Sequence, residues 1–248
     1  MTHPDLLSLK PHIRSSRGLA IDLDGTLMSG GRLYPDARLF LESLEMPFTI
    51  LSNDSEHSVT ELAQVFRQQG LNLHESQFLL AGAALIEEFA GTEPGARVML
   101  LGSPAMLALA ASRGLVLTED QPAAVIVMRD RGFNYQRLAD AARALHQGAR
   151  MIVACPDTSH PDPGGYPVPE AGAIAAAILA CAGIETYRVF GKPEPAMFNL
   201  AAERLGMPPS ACAMIGDNPN TDGLGASRVG MTFHHISRPR REILERVA

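Results

Sequence analysis

Residues 18–26 read GLAIDLDGT, and this stretch decides the fold that we predict. Its first four residues are small or apolar and carry no charge, which is typical of a strand buried on both faces of a parallel sheet. The strand delivers Asp22 and Asp24 at its carboxyl end, where ligands bind in open α/β sheets. Two acids this close repel each other unless a cation or a proton lies between them. The sequence therefore predicts a metal, a shared proton or both, with Gly25 supplying a turn and Thr26 a hydroxyl.

The composition is that of an ordinary globular protein of one or two domains. The chain has 248 residues, of which 46% are hydrophobic and 19% charged, and its formal net charge is -6. That charge argues against a nucleic-acid surface, and no apolar run reaches membrane-spanning length. Residues 1–16 lack the apolar segment of a signal peptide, so we expect a cytoplasmic protein. The three cysteines fit neither a disulfide framework nor a zinc site.

Apolar strands alternate with amphipathic helices in two blocks of the chain. The alternation predicts an α/β fold with a core domain formed by residues 1–76 and 187–248 and a smaller inserted α/β domain at 77–186. A strand over 187–190 is expected to return the chain to the core.

Three local features refine this prediction. Residues 27–35 are glycine-centred and predict a tight hairpin over the two acids. Residues 78–89 are expected to form a helix, and the proline-rich stretch 156–169 is expected to be an irregular loop.

Polar side chains follow three further short apolar strands. Ser52 and Asn53 follow one strand, Lys192 follows a second, and Asp217 and Asp222 follow a third. Because parallel strands in one sheet point the same way, these side chains should meet Asp22 and Asp24 at one edge. The sequence therefore predicts a single composite site.

The chemistry open to such a site is narrow. Three acids present hard oxygen ligands, which suit Mg²⁺ better than a thiol-loving metal. Lys192 adds a positive charge and Ser52 adds a donor, which together can cradle a phosphoryl group. Uncatalysed phosphate-monoester hydrolysis is very slow, so a covalent route through a carboxylate is physically sensible.

The pattern resembles the haloacid dehalogenase-like (HAD) phosphatase superfamily, with all four of its signatures in order. These are DxDGT at 22–26, Ser52-Asn53, KPEP at 192–195 and GD followed by Asp222 at 216–222. The insertion lies between the second and third signatures. It is similar to that of the subfamily IIA p-nitrophenyl phosphatases and ribonucleotide monophosphatases in three places, which are Asp130-Arg131, the Asp157 loop and residues 169–174. The resemblance implies a Rossmann-like parallel-sheet core with an inserted cap.

The resemblance also implies roles for the acids. Asp22 would attack phosphorus and carry an aspartyl-phosphate. Asp24 would protonate the leaving alcohol and then deprotonate water, which requires a pKa above its ordinary value. Mg²⁺ would be bound by Asp22, Asp217 and the backbone carbonyl of Asp24, and Asp222 would hold Lys192 or a metal-bound water.

The remaining signature residues would bind the phosphoryl group. Ser52 and Asn53 would grip it, and Lys192 would neutralise it together with Asp22. The chain departs from the family pattern at Asp54, where many relatives carry Asn or Thr, and Asp54 is expected to cap the helix that follows. It also departs at 234–237, where a glycine-rich ending is expected.

Substrate choice is expected to lie in the cap. The candidate substrate contacts there are Asp130, Arg131, Asp157 and His160. The alternative for these residues is that they are solvated loop residues without a contact to substrate.

Together these features predict a Mg²⁺-dependent phosphatase acting on a small phosphorylated metabolite such as a sugar phosphate or a nucleotide monophosphate. No nucleic-acid or membrane partner is expected, and a homodimer formed through the cap is possible. One alternative is dehalogenation or phosphonate cleavage on the same core, against which the second acid, Asp24, argues. The other is a non-catalytic metabolite-binding protein.

Overall fold

A computed structural model of the chain describes residues 6–162 and 166–238. In chain order the strands are β1 (Gly18–Ile21), β2 (Met28–Ser29), β3 (Arg32–Leu33), β4 (Phe48–Ser52), β5 (Phe78–Leu80), β6 (Arg97–Leu101), β7 (Val116–Leu117), β8 (Ala124–Val127), β9 (Arg150–Val153), β10 (Ser159–Pro161), β11 (Pro167–Pro169), β12 (Arg188–Val189), β13 (Cys212–Gly216) and β14 (Thr232–His235). The α-helices are α1 (Pro35–Glu42), α2 (Val59–Gln68), α3 (Ala81–Thr92), α4 (Pro104–Ser112), α5 (Tyr135–His146), α6 (Ala171–Ala182), α7 (Pro195–Arg204) and α8 (Leu224–Val229).

The first sheet, which we call the core sheet, has the order β14-β13-β1-β4-β5, and every neighbouring pair in it is parallel. The chain builds outward from β1 through β4 to β5 and later returns to add β13 and β14 on the other side. The strand order therefore reverses between β1 and β13. Ligand crevices of open α/β sheets form at such a reversal, beyond the carboxyl ends of the strands.

A second sheet, which we call the cap sheet, has the order β12-β9-β8-β6-β7 and is also parallel throughout. The two parallel sheets with their flanking helices confirm the predicted α/β class. Among the described residues, no helix is both long and apolar enough to cross a bilayer.

Alternating residues of the core sheet supply two different hydrophobic clusters. Leu19, Ile21 and Ile50 pack on the face covered by α1 and α2, whereas Ala20 and Leu51 pack on the opposite face. The second cluster continues through α3 into one face of the cap sheet. Core and cap thus share one continuous apolar region.

The sheet pairing corrects two predictions. Residues 78–80 form β5, paired with β4, and only then does α3 begin, so the helix expected over 78–89 starts three residues late. A short apolar run fits a strand or a helix equally well, and here the free edge of β4 supplies backbone partners. At the other end, β12 pairs with β9 and so belongs to the cap sheet, not to the core.

The stretch at 156–169 is also more regular than predicted, because β10 and β11 form an antiparallel hairpin. Its pairs are Ser159 with Pro169, His160 with Val168, and Pro161 with Pro167. The neighbouring pairs on either side are hydrogen-bonded, from Glu170 N–H to Thr158 O (3.1 Å) and from Asp162 N–H to Tyr166 O (2.9 Å). Since bonded and non-bonded pairs alternate, all three prolines fall where the ladder needs no N–H donor.

The hairpin expected over the acids is confirmed. β2 and β3 pair antiparallel through a two-residue loop, Gly30-Gly31, in which both residues have positive φ (54° and 74°). This is the backbone geometry of a tight hairpin turn, which glycine adopts without steric cost.

We predict that Phe89→Ala destabilises the protein by about 3–5 kcal/mol, because Phe89 on α3 is 2% exposed within the apolar region that core and cap share. Urea unfolding measures the change. The control is Leu39→Ala, which truncates a side chain that is 56% exposed and should cost about 0.5 kcal/mol or less. An equal loss of unfolding free energy in the two variants would contradict the packing of Phe89 in the apolar region that core and cap share.

Candidate active site

The predicted signature residues lie together beyond the carboxyl ends of β1, β4 and β13, where Lys192 reaches them from the segment after β12. The N–H of Asp22 donates to the carbonyl of Ile215 (2.8 Å), which ties the end of one strand to the other. Asp22, the first residue after β1, therefore lies beside Gly216, the last residue of β13, and Asp217 is the next residue after Gly216. The reversal of strand order places both acids in the same crevice.

Lys192 connects the third signature to the first and the fourth. Its Nζ donates to Asp22 Oδ1 (2.5 Å) and to Asp222 Oδ1 (2.7 Å), and all three side chains are buried. Burial disfavours the charge of Lys192, but the carboxylates of Asp22 and Asp222 outweigh this effect and raise its pKa above the ordinary value. Lys192 is thus a fixed cation beside the candidate nucleophile.

Asp22 offers a carboxylate oxygen that no described residue satisfies, and two further acids lie close to it. Carboxylate oxygens of Asp22, Asp217 and Asp222 lie within 4.8 Å of one another. Asp222 uses Oδ1 for Lys192 and Oδ2 for the N–H of Asn218 (3.2 Å), whereas Asp22 Oδ2 is buried and bonds to none of the residues described here. A buried, unpartnered carboxylate oxygen facing a second acid fits a hard divalent cation.

Two further features support that fit. Burial and the charge of Asp22 raise the pKa of Asp217 to about 6, because both disfavour its ionised form, and a cation bound between the two acids would offset both effects. Gly25 has a φ of 84°, and a Cβ at this position would overlap the Asp217 carboxylate. Glycine thus provides both the turn after Asp24 and the space that Asp217 occupies.

Asp24 lies at the accessible side of the crevice, where its side chain reaches solvent. Partial removal from water by the crevice walls raises its pKa to about 7, and the negative charges of Asp22 and Asp54 add to this effect. An acid with a pKa near the working pH can both give and take a proton. Thr26 next to it is buried, and its hydroxyl has no partner among the described residues.

Ser52 and Asn53 differ in whether their side chains can still donate a hydrogen bond to a ligand. Ser52 Oγ accepts the N–H of Asp54 (3.0 Å), which leaves its hydrogen free to donate. Asn53 accepts the N–H of Lys192 (2.7 Å) and donates to Lys192 O (3.1 Å) and to Asp157 (2.8 Å). Both amide hydrogens of Asn53 are therefore used, so its side chain joins the second signature to the third and to the cap instead of donating to a phosphoryl group.

The prediction that Asp54 caps the following helix is wrong, because that helix begins at Val59 and Ser58 is its N-cap. Asp54 instead caps the turn that precedes the helix. Asp54 Oδ1 accepts the N–H groups of Glu56 and His57 (both 2.8 Å), and its Oδ2 accepts from the His57 ring (2.7 Å). The bond to Asp54 raises the pKa of His57 to about 9, so the pair is neutral overall at pH 7. The extra negative charge of Asp54 is thus compensated locally.

The four cap candidates have different surroundings. Asp130 is buried and pairs with Arg137 (3.3 Å) within the cap. Arg131 is largely exposed and reaches Glu56 of the core (2.6 Å), and Asp157 accepts from Asn53. His160 contacts Glu170 (2.6 Å). The structure thus brings Arg131, Asp157 and His160 to the junction of core and cap, but not Asp130.

The sequence reading missed several residues at this junction. Glu56 and Glu170 both pair with Arg129, although 114 positions separate the two acids. Glu170 lies in the stretch 169–174 that carries the resemblance to the subfamily IIA insertion, and this was the available signal. At the tail, His235 Nε2 lies 3.0 Å from the carbonyl of Asp217, and Arg238 donates to Thr26 O and Asp36, so the expected glycine-rich ending is replaced by side-chain contacts.

Comparison with known proteins identifies what this arrangement is similar to. A family model described as haloacid dehalogenase-like hydrolase matches residues 17–230. An acid sugar phosphatase of Staphylococcus aureus (strain MRSA252) is 28% identical over 228 residues, which cover 90% of this chain and 87% of the relative. Two solved structures are similar. The p-nitrophenyl phosphatase of Archaeoglobus fulgidus has 26% identity and a TM-score of 0.83, with 88% of this chain and 85% of that chain covered. The glycerol phosphate phosphatase of Mycobacterium tuberculosis in complex with magnesium has 27% identity and a TM-score of 0.81, with 94% and 69% covered.

We predict that the His57 ring titrates with a pKa near 9 and that Asp54→Asn returns it toward 6.5. Histidine ring resonances followed by NMR measure both values. Because the folded pKa is raised, the pair stabilises the fold fully below the unfolded pKa of His57 and loses this contribution as pH rises through about 9. Asp54→Asn should therefore destabilise the protein more at pH 6 than at pH 10.

The control for this titration is Asp120→Asn, which changes a carboxylate that is 87% exposed and lies outside this turn. It should leave the His57 titration unchanged. A pKa near 6.5 for His57 in the unsubstituted protein would contradict the pairing with Asp54.

Proposed function

The chain belongs to the haloacid dehalogenase-like hydrolase family and is a phosphatase, and from that premise we propose that it hydrolyses small phosphorylated metabolites through an aspartyl-phosphate on Asp22. The observation that carries the proposal is the state of the Asp22 carboxylate. One of its oxygens is held by Lys192, and the other is buried and has no hydrogen-bond partner in the described part of the chain. A carboxylate fixed in this way is ready to bind a cation and attack an electrophile.

We assign the two acids separate roles. Asp22 attacks phosphorus, a P–O bond to Asp22 forms, and the P–O bond to the leaving alcohol breaks. Asp24 gives its proton to the leaving oxygen, then takes a proton from the water that attacks the phosphoenzyme and releases inorganic phosphate. A pKa of about 7 suits both transfers.

The site residues fit a divalent metal, for which we propose Mg²⁺. The carboxylates of Asp22 and Asp217 and the backbone carbonyl of Asp24 would hold it, and when bound it supplies positive charge that offsets the repulsion between these acids and an anionic substrate. Magnesium is present in the similar glycerol phosphate phosphatase structure. Asp222 holds Lys192 and is not needed as a ligand.

The remaining residues position and neutralise the phosphoryl group. Lys192 supplies a fixed positive charge next to Asp22, and the Ser52 hydroxyl donates a hydrogen bond. Asn53 is a positioning residue, because its side chain holds the backbone of Lys192. Thr26, with its buried and unpartnered hydroxyl, is a further candidate donor.

We place substrate choice in the inserted part of the chain, which on the strand pairing runs from about α3 to β12 and forms the cap. The names of the similar proteins point to sugar phosphates and glycerol phosphate as the substrate class. Dehalogenation and phosphonate cleavage are less well supported, because neither releases an alkoxide that Asp24 would have to protonate.

Two further proposals concern the location of the protein and its assembly. We place the protein in the cytoplasm, with no nucleic-acid or membrane partner. We also propose a homodimer formed through the cap, since β7 is an edge strand of the cap sheet and its Val116 and Leu117 are exposed.

We predict that Asp22→Asn lowers kcat on p-nitrophenyl phosphate with Mg²⁺ by about 10⁴-fold or more, because an amide cannot act as the nucleophile. Asp120→Asn is the control, and it should keep the activity of the unsubstituted protein. An Asp22→Asn variant with undiminished activity would contradict the proposal.

We also predict that Asp24→Asn slows turnover by about 10²–10⁴-fold, because the proton that assists both steps is lost. With an activated aryl phosphate, whose leaving group needs little protonation, the phosphoenzyme should accumulate. Mass spectrometry after an acid quench should then find one phosphoryl group on the peptide that contains Asp22. A phosphoryl group on any other residue would contradict the assignment of Asp22.

A further inference from the structure

Four side chains meet where the cap covers the crevice, and none of them belongs to the catalytic set. Arg129 of the cap pairs with Glu56 of the core (2.8 Å) and with Glu170 of the cap (3.4 Å). Glu170 also binds the ring of His160 (2.6 Å). Arg129, Glu56 and Glu170 are each between 13% and 15% exposed, so the group is largely enclosed. We call these four residues the junction cluster.

The junction cluster is joined to the phosphoryl-binding residues by short links. The N–H of Glu56 donates to Asp54, whose own N–H donates to Ser52. The N–H of Arg129 donates to Ser55 Oγ (3.0 Å). These links place the cluster within a few residues of Ser52, at the junction of core and cap.

The cluster has unused hydrogen-bonding capacity of both kinds. Arg129 makes both ion pairs through one terminal nitrogen, and its Nε is buried without a hydrogen-bond partner among the described residues. Glu170 makes both of its contacts through Oε1, so its Oε2 remains available. A buried guanidinium nitrogen without a partner needs an acceptor, and a carboxylate oxygen beside it can take a donor.

Among the residues that the structure describes, the charges around the cluster leave no surplus of positive charge. Arg129 and Arg131 face Glu56, Glu170 and Asp157, and the Asp54–His57 pair is neutral. Burial raises the pKa of Glu170 to about 7, although the Arg129 guanidinium opposes this effect. Glu170 is therefore partly ionised at neutral pH, and the net charge of all these groups lies between zero and one negative charge. A second anionic group on the substrate would find no net attraction here.

We propose that Arg129, Glu170 and His160 bind the leaving group of the substrate and select one that is uncharged and carries several hydroxyl groups, with Glu56 as the positioning residue for Arg129. A hydroxyl both donates and accepts, so it can satisfy the guanidinium and the carboxylate together, whereas a carboxylate leaving group can only accept. This inference rests on the proposed phosphatase function and names the substrate class of that same crevice.

The test compares three phosphate esters as substrates of the full-length protein with Mg²⁺. Glycerol 3-phosphate and 3-phosphoglycerate have leaving groups of the same length, one neutral and one anionic, and p-nitrophenyl phosphate has no hydroxyl groups to bind. The variants are Glu170→Gln, which removes a charge and keeps the shape, and Arg129→Gln. Arg113→Gln is the matched control, since Arg113 forms a surface ion pair with Glu87 on the cap.

The unsubstituted protein should favour glycerol 3-phosphate over 3-phosphoglycerate in kcat/KM by about tenfold or more, and Glu170→Gln should narrow this ratio by about fivefold, because a repelling charge is lost. Arg129→Gln should lower kcat/KM for glycerol 3-phosphate by about 10- to 100-fold and change that for p-nitrophenyl phosphate by no more than about threefold. Arg113→Gln should change none of these values. Thermal unfolding identifies a variant that fails to fold, and the isosteric Glu170→Gln then still decides the outcome.

Two results would overturn the inference while leaving the phosphatase intact. One is a preference of the unsubstituted protein for 3-phosphoglycerate. The other is an equal loss on glycerol 3-phosphate and p-nitrophenyl phosphate in Arg129→Gln, together with an unchanged substrate ratio in Glu170→Gln. Failure of the unsubstituted protein to release phosphate from any of the three esters would overturn the proposed function itself.

Discussion

The whole site depends on one buried cation, Lys192, held between Asp22 and Asp222. Lys192 is 170 positions from Asp22 and 30 positions from Asp222 in the chain, and the two hydrogen bonds of its Nζ join the three residues. Burying such a group is costly, so its role is better understood as fixing geometry than as stabilising the fold. Lys192 carries one positive charge, whereas Asp22, Asp217 and Asp222 would carry three negative charges when ionised. The remaining two negative charges are the amount that a divalent cation neutralises, and this links the buried lysine to the metal site.

The strand order of the core sheet forms the crevice in which these residues lie. Because the strand order reverses between β1 and β13, the loops that follow them diverge and leave room between Asp22 and Asp217. Asn53 extends the arrangement, since it holds the backbone of Lys192 on one side and Asp157 of the cap on the other. The position of the cap over the crevice is therefore coupled to the residues that would bind the phosphoryl group. A substrate that displaced the cap would also disturb Lys192.

Much of the fold could be predicted because its signals are local. Apolar runs followed by acids or by Ser52 identified the strand ends of the core, and the Gly30-Gly31 pair identified the hairpin. The wrong predictions concern segments whose secondary structure depends on pairing with strands from other parts of the chain. Nothing local in residues 78–80 distinguishes a strand from the first turn of a helix, and β12 joins the cap sheet only because the edge of β9 is available. The prolines of the β10–β11 hairpin argued against regular structure, yet their spacing fits the non-bonded pairs of a ladder. The contacts of Arg129 with Glu56 and Glu170 could not be predicted at all, because they join parts of the chain whose approach depends on the docking of cap and core.

The central claim is that Asp22 and Asp217 share one divalent cation next to Lys192. The most direct measurement is the anomalous difference map of crystals soaked with Mn²⁺, which substitutes for Mg²⁺ and scatters strongly enough to be located. The account predicts one strong peak in contact with Asp22 Oδ2 and the Asp217 carboxylate, and its loss in Asp217→Asn with the bonds of Lys192 unchanged. A peak elsewhere, no peak at saturating Mn²⁺, or a peak that persists in Asp217→Asn would contradict it.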